Sequence, residues 1–457
     1  MPSIITDAEK RFIIQHLYDD IADSASTQNY YIGFARSQPY DSADNIVTPT
    51  RSTSVERDFR LNLQAIKKTA TASFVIPRYN WTSGTIYQGF DDTTVGIPTN
   101  SYYVMTDDNS VYICLSQGKD GTGAAVQSTV KPTGSNTKSF RTADGYVWKF
   151  LYGITAVNSV NFITANYIPV KLQGATTGIS PALDIEQEGI QNAAIPGQIA
   201  NIVVTSGGTG YTSAPTVTVI GDGSGVSATA TVSGGAVVKI NLVDSSTGEP
   251  KHGSGYHYGN IVFTGGGGSG ATARVVLPPN PNGFGADPRV DLKSSAIMYR
   301  ARVDGAEGND FLIGQDFRQI GLIKNPKTPG GSLYTSSTGS ALHRLQLSTV
   351  SVAFSADKTI LGGTSGAKGY VDDFDSDTIY YHQTKETGFT PFQNNETVTE
   401  TNGSGSGIIS ASGANLNGDI DIWSGEIQYI ENRAAVERTS ASAEDIKVII
   451  QIWEQEK

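Results

Sequence analysis

Residues 30–40 read YYIGFARSQPY, an aromatic run around a single glycine that ends in an arginine and a Ser-Gln-Pro turn. Alternate side chains of a strand point to opposite faces, so Tyr31, Gly33 and Ala35 share one face and the larger residues share the other. Small side chains allow another part of the chain to approach closely. The run therefore predicts a β-strand that is buried on both faces and stops before Pro39.

Five further runs have the same strand-like character. They are SFVIPRYNW (73–81), DGYVWKFLYGI (144–154), FRQIGLIKNP (317–326), SGEIQYIENR (424–433) and EDIKVIIQIW (444–453). Each combines β-branched or aromatic residues with a turn signal at one end or with period-2 alternation, which is typical of strands. The sequence predicts a mainly β fold of the α+β type, a multi-domain scaffold of sheets or sandwiches.

The composition agrees with this fold class. Glycine contributes 51 of 457 residues and charged residues only 17%, against about 7% glycine and about 25% charge in ordinary proteins. Such a chain favours strands and turns over helical bundles. Its length suggests about three domains of roughly 150 residues each.

One helix is predicted, at the N-terminus. Residues 7–22 begin with Asp7, a suitable N-cap, and carry apolar residues near helical spacing. These are Phe12, Ile13, Leu17 and Ile21. We expect this stripe to pack on a neighbouring core.

The charge balance argues against nucleic acid as a partner. The chain carries a net charge of −11, and no basic run is longer than the pair Lys67 and Lys68, so no cationic surface for phosphate neutralisation is visible. No stretch reaches the ~18 apolar residues of a membrane span. The first residues also lack the features of a signal peptide, and the sequence predicts folding in a cytoplasm without membrane insertion.

An internal repeat sets residues 192–282 apart. GTGYTSAPTVTVIGDGSGVSATATV (208–232) recurs as GSGYHYGNIVFTGGGGSGATARVVL (253–277), with Tyr211 and Tyr256 in register. The repeat predicts a duplicated, glycine-rich β-unit stacked on itself. Proline-containing segments bracket it, which indicates an inserted module.

Three regions along the chain follow from these boundaries. Residues 1–191 hold the N-terminal helix and the first part of a β-rich core, residues 192–282 the insert, and residues 283–457 the second part of the core. Within the last region, residues 345–411 are rich in glycine, threonine and aspartate and are interpreted as an elaboration.

No group of residues has the pattern of a catalytic or metal site. None of the five histidines lies in an HExxH or HxH spacing, and the acidic run VDDFDSD (371–377) lacks the glycine and the final glutamate of a calcium loop. Cys114 is the single cysteine, which excludes an intrachain disulfide and favours a small buried hydrophobe. The sequence predicts no catalytic residue, no cofactor and no metal.

Taken in order, six of these runs resemble the conserved blocks of one protein family. The blocks are NYYIGFARSQPY, SFVIPRYNW, DGYVWKFLYGI, FRQIGLIKNP, SGEIQYIENRAAVERT and EDIKVIIQIW. They are similar to the baseplate wedge subunit of T-even-type contractile-tailed bacteriophages, the product of gene eight. The resemblance covers residues 29–190 and 283–453 in block order, and the repeat module lies outside it.

The resemblance implies a structural protein and not an enzyme. A member of this family forms a homodimer and connects other baseplate wedge subunits around the tail hub. It belongs to the virion, in the tail baseplate, and is synthesised and assembled in the host cytoplasm. No catalytic residue of the family can be carried over to this chain.

Arginines near the ends of the predicted strands are candidate structural clamps. A guanidinium group binds carboxylates and backbone carbonyls through a planar fork of donors. The candidates are Arg36, Arg78, Arg318 and Arg433. Further structural or interface candidates are Trp81, Trp148 and Glu431.

Two other functions remain open at the level of sequence. One is a trimeric receptor-binding fibre or spike whose repeat module recognises host glycans by stacking on Tyr211, Tyr256 and Tyr258. The other is a polysaccharide hydrolase, for which the sequence offers no particular pair of carboxylates.

Overall fold

The computed structural model describes residues 4–22, 26–69, 71–95 and 101–452. About 40% of the chain is strand and 11% is helix, arranged in several antiparallel sheets. The prediction of a mainly β, multi-domain fold is confirmed.

Five α-helices are present in the described residues. They are α1 (Asp7–Ala22), α2 (Thr53–Leu61), α3 (Ala156–Phe162), α4 (Ala182–Asn192) and α5 (Pro288–Asp291). The N-terminal helix is confirmed, but its expected stripe is wrong, because Phe12 is 58% exposed while Ile14 and Lys10 are buried. The sequence did not predict the other four, which are short.

The strands are numbered in chain order. The first half of the chain contains β1 (Tyr30–Ala35), β2 (Leu63–Lys68), β3 (Thr71–Pro77), β4 (Tyr103–Met105), β5 (Ser110–Ser116), β6 (Phe140–Arg141), β7 (Val147–Gly153), β8 (Tyr167–Val170), β9 (Asn201–Thr209), β10 (Thr216–Gly221), β11 (Ser224–Val226) and β12 (Ala228–Ser233). The second half contains β13 (Ala236–Leu242), β14 (His252–Ser254), β15 (Gly259–Thr264), β16 (Ser269–Val276), β17 (Ala296–Asp304), β18 (Asp316–Lys324), β19 (Thr338–Ser340), β20 (His343–Val352), β21 (Thr359–Gly362), β22 (Lys368–Asp375), β23 (Thr378–His382), β24 (Thr397–Glu400), β25 (Ser406–Ile409), β26 (Glu426–Glu437) and β27 (Ala443–Gln451).

The chain folds into two compact units. The first unit comprises Met1–Ile14, Ser73–Ile297 and Ile450–Lys457, and the second comprises Gln15–Ala72 and Met298–Ile449. The proposed insert at 192–282 belongs to the first unit. Its status as an insertion into the chain stays a prediction.

A five-stranded antiparallel sheet forms the centre of the second unit, in the order β19-β2-β1-β18-β26. Every residue of β1 is buried, as predicted from its sequence. Gly33 of β1 lies directly opposite Gly321 of β18, and the ring of Phe59 from α2 covers both. A Cβ atom at Gly321 would lie inside the van der Waals radius of that ring. The small residues of β1 therefore make room for a helix, in agreement with the expected close approach.

The second unit also contains a closed barrel in the order β20-β23-β22-β21-β24-β25. Its strands run from His343 to Ile409 and so account for nearly all of the glycine-rich stretch 345–411. Its interior is a separate cluster of buried apolar residues, including Leu345, Ile360 and Val398. The stretch is thus a folded element with its own core.

The first unit contains a four-stranded sheet in the order β4-β5-β7-β6. Trp148 on β7 is fully buried and stacks on Tyr146, with ring centroids 5.6 Å apart. Cys114 on β5 is also fully buried, as expected for a small hydrophobe. In the same unit β3 pairs with β8.

The repeat module forms a six-stranded sheet in the order β13-β12-β10-β15-β16-β9. The equivalent strands β10 and β15 pair antiparallel, with Val217 opposite Phe263 and Thr218 opposite Val262. Because Phe263 is the repeat equivalent of Thr218 and Val262 that of Val217, the two copies are related by a local two-fold axis between these pairs. The copies lie side by side in one sheet, and the prediction that they stack on one another is wrong.

The two copies also exchange segments around this axis. The Ser224–Val226 strand of the first copy pairs with the His252–Ser254 strand of the second. In the equivalent position, Ser269 and Ala271 pair with Thr209 and Gly207. Each copy therefore supplies a segment that pairs with a strand of the other half of the module.

Candidate functional site

Arg36 follows β1 in an unusual backbone conformation. Its φ angle is 66°, in the left-handed region that side chains other than glycine rarely adopt. Its backbone N–H donates to the carbonyl of Asn62 at 2.9 Å, and its Nη2 donates to the carbonyl of Pro39 at 2.8 Å. The guanidinium also lies 4.8 Å from the centroid of the Tyr40 ring. These contacts hold the turn that leaves β1.

A cavity of about 460 Å³ lies beside this turn within the second unit. It is lined by Arg36, Gln38, Pro39, Tyr40, Asp41, Asp58, Leu61, Asn62, Tyr370, Thr384, Lys385 and Glu386. Two of its charged side chains form an ion pair, in which Lys385 Nζ lies 2.6 Å from Asp58 Oδ1. Among the lining residues, three acidic side chains face two basic ones.

Arg318 on β18 is the most enclosed of the predicted clamps. Its side chain is 7% exposed, and its Nε and Nη2 lie 2.8 Å from Asp44 and 3.0 Å from Asp316. Its Nη1 donates to the carbonyl of Ser37. Hydrogen bonding from Arg318 lowers the pKa of Asp44 below its ordinary value. This one residue ties the turn after β1 to the centre of the sheet.

The other two predicted clamps make fewer contacts. Arg78 Nη1 donates to the carbonyl of Thr164 at 2.9 Å. The guanidinium of Arg433 lies 5.9 Å from the Phe317 ring, and within the described part of the chain its side chain has no hydrogen bond. Arg318 and Arg433 are therefore not equivalent.

The remaining candidates have local roles in the structure. Trp81 Nε1 donates to Ser128 Oγ at 3.1 Å, and Glu431 accepts a hydrogen bond from the Tyr429 hydroxyl at 2.7 Å. Trp148 lies in the core of the first unit. Its burial makes it a packing residue of the first unit.

Sequence reasoning missed two arginine clamps. Arg60 on α2 donates three hydrogen bonds of 2.6–2.7 Å to the carbonyls of Ile422, Ser424 and Gly425. Burial lowers the pKa of Arg60. Because its acceptors are backbone carbonyls 362–365 positions away along the chain, no residue pattern identifies them in advance.

Arg438 is the second clamp that the sequence did not indicate. It is 3% exposed, forms an ion pair of 2.9 Å with Glu444 and donates to the carbonyl of Gly305 at 2.6 Å. It follows β26 and fixes the turn between that strand and β27.

Ser37, Asp372 and His382 form a buried polar cluster in the second unit. His382 Nδ1 lies 2.6 Å from Asp372 Oδ2, and Ser37 Oγ donates to Asp372 Oδ1 at 3.2 Å. In a nucleophilic triad the serine hydroxyl bonds to the histidine, and the carboxylate lies on the far side of the ring. Here the carboxylate lies between the two, so the cluster does not activate Ser37.

His382 is one of the residues that line a second, smaller cavity of about 100 Å³. The other lining residues are Leu61, Leu63, Ala341, His343, Gln383, Phe389, Ile422 and Trp423. Burial is the main cause that lowers the pKa of His343, and the charge of a protonated His382 lowers it further. The walls of this cavity combine apolar side chains with polar groups.

The first unit contains a buried pair of ionisable groups. Asp291 is fully buried, and burial raises the pKa of its carboxyl to about 8. Burial likewise lowers the pKa of Lys149 to about 8. Lys149 Nζ donates to the carbonyl of Thr137 at 2.6 Å, and Asp291 Oδ2 accepts from the N–H of Gly285 at 2.7 Å.

The described residues hold neither a metal-binding cluster nor a membrane-spanning helix. They contain no group of three or more histidine, cysteine, aspartate or glutamate side chains placed to hold a metal ion. Among the same residues, no helix has the length and apolar character needed to cross a membrane.

Comparison of the chain with protein-family models and with curated proteins finds no match.

Proposed function

We propose that this protein is a structural subunit of a contractile-tail baseplate wedge, which forms a homodimer and connects other wedge subunits around the tail hub. The proposal rests on the order and identity of six sequence blocks that resemble this family. On this proposal it is a non-enzymatic component of the virion.

The observation that carries the proposal is the placement of three of the blocks. NYYIGFARSQPY supplies β1, FRQIGLIKNP supplies β18 and SGEIQYIENRAAVERT supplies β26, and these strands are consecutive neighbours in one sheet. NYYIGFARSQPY begins at residue 29 and FRQIGLIKNP at residue 317, so these two blocks begin 288 positions apart in the sequence. Because the three blocks form neighbouring strands of one sheet, the side chains of each block must fit those of the next. This supports the use of the blocks together as a family signature.

The inward position of two tyrosines weakens the main alternative. Tyr211 and Tyr256 are 5% and 4% exposed and belong to the core of the repeat module. Stacking of a glycan on an aromatic ring requires an open ring face. Only Tyr258 of the three proposed platforms is exposed, at 64%, so the glycan-binding hypothesis has lost most of its support.

The proposal is tested by the mass of the purified protein, measured by light scattering on a sizing column over a wide concentration range. One chain has a mass of 48.4 kDa, and we expect a species of twice that mass at every concentration. A stable monomer would contradict the proposal, and a trimer would favour a fibre or spike. Co-assembly with other wedge subunits is then the decisive second step.

A further inference from the structure

The dipeptide Asn-Gly occurs three times in the chain, at Asn282, Asn402 and Asn417, and all three asparagines are exposed. In this dipeptide the glycine nitrogen can attack the side-chain carbonyl of the asparagine, because glycine has no Cβ to hinder the approach and its backbone turns easily. The attack requires the peptide between the two residues to rotate. Its rate in a folded protein therefore depends on how firmly that peptide is held.

Asn402 lies in the loop of residues 401–405 between β24 and β25 of the barrel. Residues 401–404 are all exposed, and the loop is closed by the N–H of Glu400, which donates to the carbonyl of Gly405 at 2.9 Å. Among the described residues, neither the carbonyl of Asn402 nor the N–H of Gly403 has a hydrogen-bond partner. No hydrogen bond therefore opposes rotation of the peptide between them.

The fold requires a glycine directly after Asn402. A Cβ atom at Gly403 would meet the carboxylate of Glu400. That carboxylate accepts hydrogen bonds from the N–H groups of Ser355 and Gly405, at 2.5 and 2.9 Å. A larger residue at position 403 would displace it, so the structure of this loop retains the reactive dipeptide.

The peptide after Asn282 is held at its nitrogen. Gly283 is buried with a φ angle of 94°, and its N–H donates to the carbonyl of Asn280 at 2.9 Å. A Cβ atom at Gly283 would meet the backbone of Ile195. The nitrogen that would attack Asn282 is thus both hydrogen-bonded and enclosed.

The peptide after Asn417 is held at its carbonyl, which accepts a hydrogen bond from Arg344 Nη2 at 2.8 Å. The next residue is fixed as well, because the N–H of Asp419 donates to the carbonyl of Ser340 at 2.8 Å. The carbonyl of Asn417 and the nitrogen of Gly418 belong to one planar peptide unit. Holding the carbonyl therefore also restrains the nitrogen.

We propose that Asn402 is a site of spontaneous deamidation, and that the fold protects Asn282 and Asn417. The nitrogen of Gly403 loses its proton and forms a bond to Cγ of Asn402, and the side-chain nitrogen leaves as ammonia. Water then opens the cyclic imide at either carbonyl and gives aspartate or isoaspartate. Both products place a new carboxylate in the loop that Glu400 closes, and isoaspartate also lengthens the main chain of that loop.

The inference does not depend on the proposed function, because the reaction needs only water and the folded chain. Purified full-length protein is aged at mildly alkaline pH, where more of the attacking nitrogen has lost its proton. Mass spectrometry of tryptic peptides follows the conversion of each amide to an acid. Residues 386–433 form one tryptic peptide that contains both Asn402 and Asn417, so fragment ions are needed to separate these two sites.

We expect Asn402 to react at least about tenfold faster than Asn282 and Asn417, since a local opening that costs about 1.4 kcal/mol already slows a reaction tenfold. Equal rates at the three sites would overturn the proposal, as would an unchanged Asn402 in protein that has been aged until the unfolded chain has reacted.

The matched control is the same chain unfolded in guanidinium chloride. Without folded structure the three dipeptides should react at similar rates, because each asparagine is followed by glycine. A lead of Asn402 that persists unchanged in the unfolded chain would come from the local sequence and would refute protection by the fold.

Arg344→Ala tests the protection of Asn417 directly, because it removes the donor to the carbonyl of Asn417. We expect Asn417 to react about fivefold faster in this variant, the factor that corresponds to a hydrogen bond of about 1 kcal/mol, while the rate at Asn402 stays the same. An unchanged rate at Asn417 would refute the role assigned to this hydrogen bond.

Discussion

Asp291 shows how a single buried carboxyl couples stability to pH. Its Oδ2 is held by one backbone N–H, and its Oδ1 has no partner among the described residues. The charged form has lost water without full replacement, which is why the pKa rises from 3.8 to about 8. In the folded protein the carboxyl therefore keeps a proton at pH values where the unfolded chain has released it.

The sign of the pH effect follows from this proton. When the pKa of a carboxyl is higher in the folded protein than in the unfolded chain, its contribution to stability is fully present below the unfolded-state pKa. That contribution is lost as the pH rises towards the folded-state pKa. We predict that Asp291→Asn abolishes this loss. The free energy of unfolding of the variant minus that of the wild type should increase by up to about 3 kcal/mol from about pH 5 to pH 7.5. The reason is that a difference of one bound proton changes the free energy of unfolding by about 1.4 kcal/mol per pH unit.

Urea unfolding followed by tryptophan fluorescence, to which the buried Trp148 of the same unit contributes, measures this difference. The chosen pH window lies below the pKa of about 8 of Lys149, so that group stays mostly charged. Tyr102→Phe removes the hydroxyl that donates to the Asp291 carbonyl and should cost the same at both pH values. A wild type and an Asn variant with parallel pH profiles would refute the explanation.

The arginines show what sequence can and cannot specify for single residues. Arg36, Arg318 and Arg433 look alike in the sequence, each near the end of a strand. Only Arg318 is enclosed by two carboxylates and a carbonyl, because Asp44 and Ser37 reach it from the turn after a neighbouring strand. The position of Arg60 over three distant carbonyls depends in the same way on tertiary structure.

At the scale of elements, the repeat module depends on a reciprocal contact between its copies. A Cβ atom at Gly223 would lie 2.5 Å from ring atoms of Tyr256, and one at Gly268 would lie 2.5 Å from Tyr211. These positions are exchanged by the local two-fold axis. Each glycine thus makes room for the buried tyrosine of the other copy.

We predict that Gly223→Ala and Gly268→Ala each destabilise the first unit by roughly 1–3 kcal/mol, because an added methyl group meets a ring that cannot move within the module core. The two losses should be similar, since the two sites are equivalent. Thermal or urea unfolding of the purified variants measures them.

The matched control is Gly189→Ala on α4. A Cβ atom there meets nothing within 4 Å, and alanine favours a helix over glycine by up to about 1 kcal/mol. This variant should be as stable as the wild type or slightly more stable. A loss at Gly189 as large as at Gly223 would mean that the methyl group acts through something other than the tyrosine contact.

The strands could be predicted because their sequence signal is local. The short helices, the exposed position of Phe12 and the barrel could not be predicted. Alternation and turn residues located β1, β18 and β26 from the sequence alone. The short helices α2 and α3 have too few residues to show a clear period, and the exposed position of Phe12 on α1 depends on packing that the helix sequence does not contain. The barrel of residues 343–409 was missed since closure depends on pairing between strands far apart in sequence.

For the whole molecule, the repeat module is the part whose contribution is easiest to separate. The chain enters and leaves it at one place, because Asn201 on β9 pairs with Val276 on β16 and Gly283 lies against the backbone of Ile195. Neighbouring ends allow a module to be removed without stretching the remaining chain. Within the first unit, Arg274 of the module forms ion pairs of 2.5 and 2.8 Å with Asp91 and Asp92.

We predict that replacing residues 196–282 by a short Gly-Ser linker leaves the proposed homodimer intact but makes the first unit less stable. The module lies outside the six family-like blocks, so a decoration should be dispensable for the dimer, while its loss uncovers the surface that Arg274 and its neighbours contact. Light scattering measures the mass of the variant, and urea unfolding measures its stability. Arg274→Ala is the mild control, expected to cost at most about 1 kcal/mol because these ion pairs are partly exposed. A monomeric deletion variant that is still folded would instead place the module in the dimer interface and make it part of the assembly.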